Sequence, residues 1–285
     1  MSKEADGEST KKKKGGCLKV ALIILAIIVV IGVILFLYLR NEYKKYEKEN
    51  SSKQVSIIGE EIPDFTVETI DGEKVTLSEL SASHEVTVLN VFTSWCGPCK
   101  REFPAMEAVY KKYPDKVAIL ALSDDEDDTF DVLKDYKKEN KLSFMIGRDE
   151  GKTDSLPTPG YPTTFIIDRN GKVVFCQSGT IPDEADVEKL YTSFMGDDYD
   201  GSPVFMYTAM VGTKKEAIEG AVVKFTSDDG DTQEATTNAD GQALIMVNSP
   251  AKYTVTVESL PDGKNVKGKE DTVGPESGLA VIYVD

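Results

Sequence analysis

The sequence predicts an α/β domain followed by a small all-β sandwich, both behind a single N-terminal transmembrane helix. Three observations predict this. Val20 to Leu39 is an uninterrupted apolar run, the middle of the chain alternates strand-like and helix-like segments, and beyond Pro203 the apolar period drops to two.

The apolar run comes first. Its twenty residues span about 30 Å as a helix, the thickness of a bilayer core. It ends in Tyr38-Leu39-Arg40-Asn41, without the small-residue cleavage site of a signal peptide, so it reads as an uncleaved anchor at residues 20–39. Lys11 to Lys14 and Lys19 precede it, whereas Arg40, Lys44, Lys45 and Lys48 follow. That small asymmetry favours a cytosolic tail, residues 1–19, and an extracytoplasmic body. Cys17 precedes the run, the wrong side for a lipoprotein signal, and in this orientation is a reduced cytosolic thiol. Residues 1–50 carry ten Lys and Arg against six Asp and Glu; with the whole chain at −16, the remainder carries −20. So acidic a body argues against nucleic acid and keeps away from anionic headgroups. Four cysteines are too few for a disulfide scaffold.

Residues 40–58 are polar and charged, with no apolar stripe, and read as a juxtamembrane helix or tether. The α/β domain follows at 59–196. Strands are expected near Val86–Phe92, Val117–Leu122, Thr163–Ile167 and Val173–Gln177, and helices near Pro98–Lys112, Thr129–Asn140 and Asp183–Phe194. Residues 197–203 are dense in turn formers and read as a linker. In the module at 204–285, strand-like runs at Val204–Met210, Ala221–Phe225, Ala243–Val247, Tyr253–Glu258 and Leu279–Val284 are punctuated by Asp-Gly turns.

The chemistry concentrates in Trp95-Cys96-Gly97-Pro98-Cys99, between a strand and a helix. Two thiols at that spacing can close into a disulfide and reopen. The first sits where unpaired helix amides stabilise a thiolate, so Cys96 is expected to be the nucleophile and Cys99 the resolving thiol. A structural zinc needs a second ligand pair, and Cys17, Cys176 and His84 are scattered, so no metal is expected. Cys176, alternating with Val174 on one face of its strand, reads as a small buried residue. The run Asp124-Asp125-Glu126-Asp127-Asp128 reads as a solvated helix start rather than a calcium loop. Thr93 and Cys96 have the Thr-x-x-Cys spacing of peroxiredoxins, but the proline those enzymes place before the threonine is missing.

With Gly59-Glu60-Glu61-Ile62-Pro63-Asp64-Phe65, Asp71-Gly72-Glu73-Lys74-Val75, the WCGPC core, Glu102-Phe103-Pro104 and Pro162-Thr163-Thr164-Phe165 in that order, residues 59–196 resemble the TlpA/ResA-like branch of the thioredoxin superfamily. The resemblance implies a thioredoxin-like domain with a central mixed sheet and flanking helices. It implies that Pro162 carries a cis peptide beside the disulfide, freeing the backbone of Tyr161 to pair with an extended substrate. Trp95 would cover the pair and meet substrate, or else pack at the edge of the core. Glu102 matches a glutamate near the thiols in the ResA branch. Partly buried, it would have a raised pKa and exchange protons with Cys99; otherwise it is a solvated residue beside Lys100 and Arg101. Asn90 stands where thioredoxin has a buried acid.

The last module resembles Cna B-type and prealbumin-like modules of bacterial surface proteins, through Gly220-Ala221-Val222-Val223-Lys224-Phe225, Thr236-Thr237-Asn238-Ala239-Asp240-Gly241 and Tyr253-Thr254-Val255-Thr256-Val257. Together these resemblances imply a membrane-anchored thiol-disulfide oxidoreductase that reduces disulfide-containing extracytoplasmic proteins without a bound cofactor. A separate membrane electron donor would regenerate it. The alternatives are a peroxiredoxin-like thiol peroxidase and a surface binding protein whose sandwich is the working part.

Overall fold

The computed structural model describes residues 15–181, 183–263, 266, 269–275 and 278–284. Lys11 to Lys14 of the basic tail lie outside the described residues. The chain divides into a unit ending at Tyr46 and a body beginning at Glu47. The described part of the first belongs to α1, Gly15–Ser56, which runs on past Tyr46. Within it Leu22–Tyr46 is long and apolar enough to cross a membrane, and its large side chains from Leu22 to Leu39 are all exposed. Apolar side chains on every face fit a membrane-spanning helix.

The body opens with a small antiparallel hairpin, β1 (Thr66–Glu68) and β2 (Lys74–Thr76), then α2 (Leu77–Ser83). The main sheet is built from β3 (Val86–Phe92), β4 (Val117–Ser123), β5 (Met145–Arg148), β6 (Thr163–Ile167) and β7 (Val173–Ser178). Its spatial order is β5-β4-β3-β6-β7, with β3, β4 and β5 parallel and β6 and β7 antiparallel. Helices α3 (Gly97–Lys112), α4 (Phe130–Glu139) and α5 (Glu184–Thr192) complete this mixed-sheet, thioredoxin-like fold.

Strand β3 is buried at all seven positions because it lies between two apolar layers. Val86, Val88 and Phe92 join Phe103, Met106 and Val109 of α3 and Leu190 of α5, whereas Leu89 and Val91 join Leu77, Leu120 and Phe165 on the other face. Alternation therefore aims Asn90, between Val88 and Phe92, at α3.

The remaining strands are β8 (Phe205–Gly212), β9 (Val222–Ser227), β10 (Thr232–Thr236), β11 (Gln242–Val247), β12 (Tyr253–Ser259), β13 (Glu270–Val273) and β14 (Leu279–Tyr283). They form a four-stranded sheet, β10-β9-β12-β13, and a three-stranded sheet, β11-β8-β14. Tyr207, Ala209, Phe225, Ile245, Val255 and Ile282 share one apolar cluster, the core of an all-β sandwich. The sandwich is also joined to the α/β part. Val204 and Met206 belong to the apolar cluster of α3 and α5, Leu244 and Met246 pack against it, and the Val204 amide donates to the Val174 carbonyl at 3.0 Å.

Two expectations need correcting here. Val174 and Cys176 do not share a face, because the β6–β7 register shifts between Ile166 and Ile167. Val174 and Phe175 therefore both enter the α3 layer, while Cys176 packs against the opposite one. The acidic run 124–128 is a solvated helix start only in part, with Asp124, Glu126 and Asp127 exposed. It is a loop before α4, whose cap is the Thr129 hydroxyl accepting from the Val132 amide, and Asp128 is buried.

Candidate redox site

The site forms where β3 hands over to α3. Cys96 is the N-cap residue of α3 and Pro98 stands in the first turn, where a missing amide hydrogen costs nothing. Cys96 and Cys99 form a disulfide of 2.05 Å, and the Cys99 amide donates to Cys96 Sγ at 3.1 Å. A helix amide with no intrahelical acceptor thus faces the first sulfur, the environment that favours a thiolate there once the bond is opened.

One turn further, Glu102 points inward and is 1 % exposed. Its carboxyl accepts from the Ile181 amide at 3.1 Å and from Asn90 Nδ2 at 3.3 Å. Burial pushes its pKa up to about 8 against the pull of those two donors. Between a solvated and a buried glutamate, the structure has the buried one. Asn90 Nδ2 also donates to Thr164 Oγ1 at 2.9 Å, tying α3, β3 and β6 together behind the thiols.

The second half of the site follows from register. Val91 pairs with Thr163, so the residue before β6 lies beside the end of β3. That residue is Pro162, and the Tyr161–Pro162 peptide is cis. Pro162 is buried and Tyr161 half-buried. Trp95 is 66 % exposed, and its ring meets that of Tyr161 edge-on at 6.1 Å between centroids. All six residues singled out in the sequence, Trp95, Cys96, Cys99, Glu102, Tyr161 and Pro162, thus occupy the carboxyl end of β3 and the first turns of α3, or the adjoining start of β6.

The acidic loop completes this end of the sheet. Phe92 pairs in parallel with Ser123, so residues following β4 run beside those following β3. Asp128 accepts from the Ser94 amide at 2.8 Å, from the Ser94 hydroxyl and from the Ser123 hydroxyl. Asp125 accepts from the Trp95 indole and from the Asp127 amide. Asp124 accepts from the Tyr161 hydroxyl, and burial, reinforced by that bond, holds the phenol well above its usual range. A bracket of three carboxylates therefore holds Ser94, Trp95 and Tyr161. The available signal was positional: the run follows β4 directly, at the strand ends where α/β sheets place ligands.

Cys176 stands apart from this group. It is a free thiol whose pKa burial pushes far up, which makes it a poor nucleophile. Among the described residues no three His, Cys, Asp or Glu side chains cluster to hold a metal ion.

Comparison with known proteins gives the family. A model of the AhpC/TSA family matches residues 58–176. The thiol-disulfide oxidoreductase ResA of Bacillus anthracis is 36% identical over 133 residues, 45% of this chain and 74% of the relative. The thioredoxin-like protein YneN of Bacillus subtilis (strain 168) is 32% identical over 152 residues, covering 53% and 86% of the two chains. Among solved structures, a thiol:disulfide interchange protein DsbE from Chlorobium tepidum is 32% identical, covers 47% of this chain and 92% of its own, and superposes with a TM-score of 0.41. With its dithiol at the head of α3 and this degree of identity over most of its relatives' length, the chain belongs to the ResA-like thiol-disulfide oxidoreductases, carried on an apolar anchor helix.

Proposed function

We propose that this oxidoreductase works outside the cytoplasm as a reductase of protein disulfides, with Cys96 as nucleophile and Cys99 as resolving thiol. The observation that carries this reading is the Cys99 amide aimed at Cys96 Sγ, with a buried, high-pKa Glu102 behind it. The Cys96 thiolate attacks one sulfur of a substrate disulfide, and the other sulfur leaves as a thiolate that takes up a proton. The ionised fraction of Glu102 takes the Cys99 proton, the Cys99 thiolate attacks Cys96 Sγ, and the second substrate sulfur leaves as a thiolate that takes that proton back from Glu102. Two electrons pass to the substrate and the enzyme is left as the Cys96–Cys99 disulfide. A separate membrane carrier returns the electrons, since one apolar span has no means to conduct them.

Trp95, Tyr161 and Pro162 form the surface that meets the substrate, with the Tyr161 backbone pairing to an extended segment. The apolar stretch 20–39 lies in the bilayer, the tail 1–19 is cytosolic and the domains at 59–196 and 204–285 are outside. The sandwich serves as a spacer or docking surface.

The test uses the full chain in detergent with dithiothreitol as reductant. Wild type accelerates insulin reduction, Cys96→Ser falls to background, and Cys99→Ser in intact cells accumulates mixed disulfides that a reductant dissolves. Wild-type activity no better than background, with nothing captured, would remove the reading. A second reading, hydroperoxide reduction at Cys96, draws on Thr93, whose buried hydroxyl has no hydrogen-bond partner three residues before the nucleophile. Hydroperoxide consumption that needs Cys96, with insulin untouched, would install it instead.

A further inference from the structure

The loop that carries Pro162 is held from beneath by a line of polar groups ending on α1, buried at Thr163 and Gln54 and half-buried at Ser178 between them. Gln54 lies in the polar stretch that follows the apolar span, where side chains are expected to face water, yet it is only 9 % exposed. Its Nε2 donates to Ser178 Oγ at 2.9 Å. Ser178 Oγ in turn touches Thr163 Oγ1, and the Thr163 hydroxyl donates to the Gly160 carbonyl at 2.7 Å.

Each hydroxyl has a single proton, so the direction of the line is fixed. Thr163 spends its proton on Gly160, which leaves Ser178 as donor to Thr163. Ser178 then needs a donor of its own, and the Gln54 amide supplies it. The Thr163-to-Gly160 bond closes the four residues Gly160-Tyr161-Pro162-Thr163 on themselves, and the Gly179 amide donates to the Pro162 carbonyl at 2.9 Å from the same strand end as Ser178. Thr163 is fully buried, so water cannot stand in for a lost partner there.

We propose that Gln54 is a positioning residue for the substrate-binding loop: acting through Ser178 and Thr163, it fixes the backbone of Tyr161 and Pro162. The last turns of α1 are then part of the catalytic scaffold as well as a tether. This rests on the assignment of Tyr161 as the residue that pairs with substrate.

The test compares Gln54→Ala, Ser178→Ala and the double variant, each as full chain in detergent, with dithiothreitol as reductant and insulin as substrate. Gln54→Ala is expected to raise KM about five-fold, the effect of one net hydrogen bond, with kcat within two-fold. Direct reduction of the Cys96–Cys99 disulfide by dithiothreitol should be unchanged. Because Gln54 acts through Ser178, the double variant should be no worse than Ser178→Ala alone. An unchanged KM, additive effects, or an equal loss in the dithiothreitol reaction overturns the proposal. Hydrogen–deuterium exchange at the Tyr161 and Thr163 amides gives a readout independent of turnover, and it must quicken in Gln54→Ala for the proposal to stand. Wild type that fails on insulin while exchange still quickens would sink the reductase reading and leave this one.

Discussion

Glu102 shows what three residues along a helix can do to a carboxyl group. Beside Lys100 and Arg101 it looks like surface, but α3 turns it onto Asn90 and Ile181 and away from water. Its pKa rises from 4.5 to about 8, so between those values the folded protein keeps a proton that the unfolded chain has released. Stability conferred by that retained proton is full at the acid end and is lost as pH climbs through the folded pKa. In urea unfolding between pH 5 and 9, wild type should therefore lose on the order of a few kcal/mol relative to Glu102→Gln. Parallel pH curves for the two proteins would contradict the burial. The sequence left this residue open between core and solvent, because a glutamate in a first helical turn is equally expected for the dipole alone.

Among the elements, those with strong local signals were legible. Strands β3 and β6 run where their apolar stretches said they would, and α3 starts one residue early because Cys96 itself caps it. The edge strands β10 and β13 escaped notice, since both are mostly exposed and show no apolar alternation to read. The loop between β4 and α4 was legible only in part, for a different reason. A run of acids says nothing about its partners, and only the β3–β4 register places it against Ser94 and Trp95. Asp128→Ala strands a backbone amide and two hydroxyls, and should cost about 2–3 kcal/mol in chemical denaturation. Asp128→Asn, which still accepts, should lose less. Equal losses in the two variants would mean that packing, not hydrogen bonding, holds the bracket.

At the scale of the whole molecule, the sandwich is grafted onto the redox domain's core. Met206 leaves β8 on the side of α3 and α5, and Leu244 and Met246 of β11 follow it. A period of two announces strands but not which face meets another domain, so this junction was invisible in the sequence. Met206→Ala should cost about 2–4 kcal/mol and lower the unfolding midpoint of both parts together. Two separate transitions, with only that of the sandwich displaced, would show that the parts fold independently.

Trp95 is the one tryptophan in the sequence, and it stands exposed next to Cys96. A disulfide takes an electron from a neighbouring excited indole and darkens it, whereas two thiols quench far less. The chain thus comes with an optical gauge of its own oxidation state. Its ultraviolet emission should brighten on reduction, and stopped-flow recording could follow each turnover without any dye.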